Sequence, residues 1–131
     1  MTKTYPFEWL DDSGVITTKV RINGKDNFDF LLDTGSSDTY LDKNIILIEN
    51  ISLKKAIEQV EIETANGRAI ADVFEIDALS VFGNTFQNPT ILVIDFIANG
   101  IFSNYAGILG MDVLSQTNFC INFDTKTLTF N

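Results

Sequence analysis

The sequence predicts one mainly antiparallel β domain over residues 1–131, a barrel or a sandwich, with one short helix near the C-terminus. The 131-residue chain is long enough to bury a core, and 45% hydrophobic with 21% charged residues is a globular composition. Apolar residues recur mostly at every second position, which is the period of a half-buried strand. Two Asn-Gly pairs separate such runs, as they do in β-hairpins.

The first hairpin is predicted between Val15 and Leu32. Apolar and polar residues alternate over Val15–Ile22, so we expect a half-buried strand with Thr17 on its polar face. Asn23-Gly24 then supplies the turn, and the alternation resumes over Phe28–Leu32. Together these features are a strong hairpin signal.

A second hairpin is predicted around Asn66-Gly67. Val60–Thr64 alternates before this pair, and we expect the even-numbered residues from Ile70 to Ile76 to share one face after it. The preceding segment, Leu53–Gln59, is compatible with one or two helical turns or with a strand.

The remaining elements are short. Thr90–Asp95 is an apolar run typical of a fully buried strand, and Ile45–Ile48 has the length of a strand. Met111–Gln116 follows a glycine and is predicted to be a short helix. Two alternating runs within Phe119–Phe130 indicate a closing hairpin.

Composition excludes several kinds of site and partner. A net charge of −9 argues against binding to nucleic acid or to an anionic membrane surface. With no His and one Cys, the chain has no Ser-His-Asp or Cys-His triad, no internal disulfide and no His-bearing or Cys-rich metal site. We therefore expect no metal and no cofactor, and carboxylates are the best acid–base candidates.

Targeting signals are also missing from the sequence. No apolar run approaches the roughly 20 residues of a membrane span. The first ten residues contain no signal-peptide core. A cytoplasmic location is the expectation.

One stretch suggests chemistry. The apolar run that begins at Phe28 ends in Asp33-Thr34-Gly35, so a strand would deliver the Asp33 carboxylate to a cleft. Gly35 would allow a tight turn and bring its N–H close to that carboxylate, and the Thr34 hydroxyl can brace the loop. These residue types also favour ordinary turns, so the tripeptide alone fits a plain strand-to-turn junction equally well.

A second motif lies near the C-terminus. Ile108-Leu109-Gly110 places two apolar residues before a glycine that opens the predicted helix. Taken alone, core packing would explain this pattern.

In this order and spacing the two motifs resemble those of the retropepsin-like aspartic proteases, the single-domain relatives of pepsin that include retroviral and bacterial enzymes. Asp33-Thr34-Gly35 resembles the catalytic triplet, and it is followed by Ser36, as in pepsin-like enzymes. Ile108-Leu109-Gly110 resembles the element that passes behind the catalytic loop. The hairpin tip, Thr64, Ala65, Asn66 and Gly67, lies where the family has its substrate-binding flap.

The resemblance implies a retropepsin-like β-barrel acting as a symmetric homodimer, because the chain has one triplet and the chemistry needs two carboxylates. It implies an aspartic endopeptidase that binds a peptide or protein substrate and activates water between two copies of Asp33. We also expect Ser36 to donate a hydrogen bond to the ionised Asp33 and lower its pKa.

Two alternatives remain open from the sequence. One is a catalytically silent module of the same fold, used for dimerisation or peptide binding. The other is an unrelated β-barrel with a chance Asp-Thr-Gly. The intact triplet favours the enzyme over the first alternative, and the downstream Ile108-Leu109-Gly110 disfavours the second.

Overall fold

The computed structural model describes residues 3–10, 14–25, 27–64, 66–102 and 104–130. The described chain is mostly β-strand with two short helices. In chain order the elements are β1 (Lys3–Pro6), β2 (Glu8–Leu10), β3 (Val15–Ile22), β4 (Asn27–Leu32), β5 (Tyr40–Asp42), α1 (Lys43–Ile48), β6 (Lys55–Thr64), β7 (Gly67–Glu75), β8 (Ala78–Val81), β9 (Asn84–Gln87), β10 (Thr90–Ile94), β11 (Gly107–Leu109), α2 (Met111–Leu114), β12 (Phe119–Asn122) and β13 (Thr127–Phe130).

The strands form one large and one small sheet. The large sheet has ten strands in the order β6-β7-β10-β5-β11-β4-β3-β8-β9, with β2 also paired to β3. The small sheet has the order β1-β13-β12 and joins the two ends of the chain. Within the described residues the large sheet stays open, because β6 and β9 are the outer arms of terminal hairpins. A closed barrel is therefore not found among the described residues.

Several predicted elements are confirmed. β3 and β4 form the first hairpin, and Asn23 and Gly24 both have positive φ angles, as a type I′ turn requires. The closing hairpin is β12–β13. The buried strand is β10, in which residues 91–94 are all buried. The short helix is α2, which ends at Leu114, two residues earlier than expected.

The second hairpin differs in detail from the prediction. β6 and β7 pair along their length, so Leu53–Gln59 contributes to a strand and not to a helix. Thr64 is the register partner of Gly67, which begins β7 directly after the turn. In β7, Ala71 and Val73 are buried, whereas Ile70 on the other face is 60% exposed. Apolar residues occupy both faces of β7, so the packing of β7 against β10 decides which face is buried.

The structure contains one helix that was not predicted, and one further expectation is wrong. Ile45–Ile48 belongs to α1, which Asp42 caps by accepting a hydrogen bond from the backbone N–H of Asn44 at 3.2 Å. Thr17 is buried instead of lying on a polar face. It is covered because β3 pairs at this position with both β2 and β4, opposite Glu8 and Leu31.

The core has two parts that meet at the centre of the large sheet. Side chains of β3, β4, β5, β8 and β11 fill the larger part, with Val20, Phe30, Leu41 and Leu109 among its most buried members. Ala71, Val73, Leu92, Ile94 and Phe96 form the smaller part under the β6–β7 hairpin. In the part of the chain that the structure describes, no helix is long and apolar enough to cross a membrane.

Candidate active site

Asp33 lies directly after β4, at the floor of a cleft. Its backbone N–H donates to the Leu109 carbonyl at 3.1 Å, which ties the end of β4 to β11. The Gly35 N–H donates to Asp33 Oδ1 at 2.8 Å, as the sequence predicted. The Ser36 N–H closes the turn on the Asp33 carbonyl at 3.2 Å. The carboxylate therefore has a fixed orientation at the end of a half-buried strand.

β11 and α2 support this loop from behind. β11 runs parallel to β4 with Leu109 opposite Leu32, so Gly110 lies beside the loop that follows Asp33. A Cβ atom at Gly110 would overlap the Asp38 carbonyl, and only glycine allows this close approach. The Met111 N–H then donates to the Ser36 carbonyl at 2.7 Å. Ile108-Leu109-Gly110 therefore passes behind the loop that follows Asp33.

A brace between Thr39 and Asp112 was not predicted from the sequence. The Thr39 N–H and hydroxyl donate to the Asp112 carboxylate at 3.0 and 2.7 Å, and Thr39 Oγ1 accepts from the Gly110 N–H at 3.1 Å. An acidic residue in the first turn of α2 was the available signal for Asp112. Nothing in the sequence pairs it with Thr39, which lies 73 residues away.

Ser36 supports the loop but does not contact Asp33 in the expected way. Its hydroxyl donates to the Asp38 carbonyl at 2.8 Å. The expected bond from Ser36 to the Asp33 carboxylate is therefore wrong. The physical reason is local, because the chain turns back after Gly35 and brings a backbone acceptor two residues away within reach of the hydroxyl.

The cleft above Asp33 has a volume of about 370 Å³. Its floor includes apolar and aromatic side chains of the central strands and of the segment before β11, namely Leu31, Tyr40, Ile94, Tyr105 and Ile108. Burial and the nearby carboxylates of Asp38 and Asp112 raise the pKa of Tyr40, so its phenol stays neutral. The cleft thus offers an apolar floor beside a carboxylate.

The β6–β7 hairpin forms the opposite wall of the cleft. Ile62, Thr64 and Asn66 line it, whereas Gly67 does not, and Ala65 lies outside the described residues. The Thr64 hydroxyl donates to the Gly67 carbonyl at 2.8 Å and accepts from the Asn66 N–H at 3.2 Å. Thr34 is exposed and lines a separate groove with Met111 and Cys120.

The wall beside the hairpin is the loop of residues 95–101, which follows β10. The Ala98 N–H and the Asn44 amide donate to the Asp95 carboxylate and hold its pKa below the usual range. The Ile101 N–H donates to the Phe96 carbonyl at 2.8 Å. These bonds make the loop a compact structure beside the cleft.

A family model described as "Aspartyl protease" matches residues 18–113. This span covers most of the chain, including Asp33 and Gly110, and the protein belongs to the aspartyl protease family. The fold is similar to that of a retropepsin-like aspartic protease from Rickettsia conorii, with a TM-score of 0.67 and 23% sequence identity over 100% of this chain and 93% of that chain. No curated protein sequence matches the chain. The expected retropepsin-like fold is confirmed.

Proposed function

We propose that the protein is an aspartic endopeptidase in which two copies of the chain each contribute Asp33 to one catalytic dyad. The observation that carries this proposal is the Asp33 carboxylate, held by the Gly35 N–H at 2.8 Å on the floor of a cleft. The chain has one Asp-Thr-Gly sequence, so a second carboxylate in the same setting has to come from a second copy.

The chemistry follows from bringing two carboxylates together. Two carboxyl groups about 3 Å apart cannot both be ionised, because their negative charges repel each other. The two carboxyl groups of an aspartic protease dyad therefore share one proton. The ionised Asp33 takes a proton from a water molecule, which attacks the scissile carbonyl carbon. The protonated Asp33 of the second copy donates a hydrogen bond to the carbonyl oxygen and polarises it. This route uses neither a metal nor a cofactor.

Substrate binding is assigned to the space between the β6–β7 hairpin and the catalytic loop. An extended peptide there would pair through main-chain hydrogen bonds and place alternate side chains on the apolar floor. The hairpin tip, Thr64 to Gly67, would act as a flap over the peptide. Thr34 is exposed directly beside Asp33 and borders a groove that the hairpin does not line. This exposure supports the proposal that two copies of the chain form a dimer.

Loss of the carboxylate tests the proposal. Asp33→Asn should abolish peptide cleavage and leave thermal unfolding unimpaired, because the amide has nearly the same shape but cannot act as the base. The matched control is Asp77→Asn, an exposed carboxylate away from the cleft, which should cleave like the unaltered protein. Cleavage by the Asp33 variant at the normal rate would refute the proposal.

A ligand measurement separates the enzyme from a silent module of the same fold. We expect pepstatin, which mimics the tetrahedral intermediate, to raise the melting temperature of the unaltered protein by mass action. The rise should be smaller for Asp33→Asn. Peptide binding with no cleavage by the unaltered protein would favour the silent module.

A further inference from the structure

The side-chain amide of Asn44, in α1, lies between two carboxylates. Its nitrogen, Nδ2, donates to Asp42 Oδ1 at 3.0 Å and to Asp95 Oδ1 at 2.9 Å. A primary amide carries two protons, so both are committed to these bonds. Because Asp42 ends β5 and Asp95 directly follows β10, the amide joins the ends of these two strands. The three residues are here called the Asn44 junction.

Asp42 strengthens the junction from the side of β5. It is 8% exposed, and its Oδ1 also accepts from the backbone N–H of Phe96 at 3.1 Å. β5 and β10 run parallel with Asp42 opposite Ile94, so the loop of residues 95–101 leaves the sheet beside this carboxylate. A buried carboxylate needs hydrogen-bond donors, and here the start of α1 and the start of the loop both supply them.

The junction holds one wall of the cleft from behind. The Asp95 carboxylate accepts from the Ala98 N–H at 3.0 Å, and the Asp95 carbonyl accepts from the side-chain amide of Asn99 at 2.8 Å. Asn99 and Ile101 line the cleft, whereas none of the junction residues is among the described residues that line it. The position of this wall therefore depends on bonds made outside the cleft.

We propose that Asn44 is a positioning residue, whose amide holds the loop of residues 95–101 against β5 so that Asn99 and Ile101 meet the substrate peptide. This role rests on the proposed peptidase function and deepens it. The loop contacts the substrate in the ground state and in the transition state alike. Loss of the amide should therefore raise KM and leave kcat, which depends on Asp33, nearly unchanged.

The first variant is Asn44→Asp. It keeps nearly the same shape, but it cannot donate to Asp42 or Asp95 and places a third negative charge between them. That charge is favourable in the first turn of α1, so the helix itself is not weakened. The substrate is the fastest-cleaved peptide of a tryptic digest of denatured cell protein, made synthetically. We expect KM to rise about threefold to tenfold. Leu47→Ala, 71% exposed in the same helix, is the control and should keep both constants.

Two further variants test whether the bond itself is responsible. Adding Asp95→Asn to Asn44→Asp pairs an amide with a carboxylate again, with the donor and the acceptor exchanged, and leaves an oxygen for the Ala98 N–H. The KM of this double variant should return towards that of the unaltered protein, as a double-mutant cycle on a direct pair requires. Asn44→Ala removes the donor without adding a charge, and it should also raise KM if Asn44→Asp fails to fold.

The outcomes separate this role from the proposed function. If the unaltered protein cleaves no peptide of the digest, the peptidase function fails and the role of Asn44 fails with it. If it cleaves and the folded Asn44 variants keep its KM, the positioning role is refuted while the function stands. A fall in kcat at unchanged KM, or a double variant no better than Asn44→Asp, would equally refute positioning through the bond to Asp95.

Discussion

Thr39 and Asp112 join the loop that follows Asp33 to α2 through two hydrogen bonds, from the Thr39 N–H and from its hydroxyl. The same hydroxyl accepts from the Gly110 N–H, so its single proton is committed to Asp112. Because Thr39 is 1% exposed, these groups have no water to replace a lost partner. The brace fixes the loop that orients Asp33.

Weakening this brace should destabilise the fold. Asp112→Asn keeps the shape but offers one oxygen acceptor to two donors, so we expect the free energy of unfolding to fall by about 1–2 kcal/mol. Urea unfolding measures the change. The control is Asp124→Asn, which makes the same charge change at an exposed turn. Equal stability of the two variants would show that the brace contributes nothing.

Activity should depend on protein concentration. Each chain supplies one Asp33, so dilution below the dissociation constant of the homodimer should lower the specific activity. Sedimentation velocity over the same concentration range should show the monomer appearing as activity is lost. A fully active monomer would contradict the shared dyad.

Because the Ser36 hydroxyl is bonded to Asp38 and not to the Asp33 carboxylate, we expect its mutation to change stability and not the pH profile. The hydroxyl donates to the Asp38 carbonyl, so Ser36→Ala should cost about 0.5–1.5 kcal/mol of stability and leave the acid limb of the rate–pH profile in place. Cleavage rates from acid to neutral pH and urea unfolding check the two parts. Ser115→Ala is the control, an exposed serine at the end of α2. An acid limb that moves to higher pH would show that Ser36 does stabilise the ionised dyad.

The side-chain amide of Asn66 donates to the Asn99 carbonyl at 2.8 Å. Breaking this Asn66–Asn99 bridge should make the tip of the β6–β7 hairpin open more often. Asn66→Ala removes the donor, and one lost hydrogen bond corresponds to roughly a twofold to tenfold faster amide exchange around the tip. Hydrogen exchange of the protein without ligand measures this. Asn84→Ala, in the exposed strand β9, is the control. Unchanged exchange in Asn66→Ala would show that the bridge does not hold the tip.

Local patterns in the sequence predicted the elements whose structure depends on neighbours in the chain. The alternation of Val15–Ile22 predicted β3 with the bounds that the structure shows, and Asn23-Gly24 predicted its turn, since strand periodicity and turn geometry are set by adjacent residues. The bond from the Gly35 N–H to Asp33 spans two residues and was predicted for the same reason. By contrast, α1 was not predicted from the sequence, and its N-cap, Asp42, is also the last residue of β5.

The sequence by itself determined a β-rich chain with one carboxylate at the end of a strand, because hydrophobic period and a turn-forming triplet are local properties. Tertiary structure alone decided which face of β7 is buried, which partner braces Asp112 and where Asn66 binds. Each of these depends on groups far apart in the chain, 73 residues apart for Thr39 and Asp112 and 33 for Asn66 and Asn99. Such contacts form only when the sheet brings distant strands together, and short-range patterns do not encode that meeting.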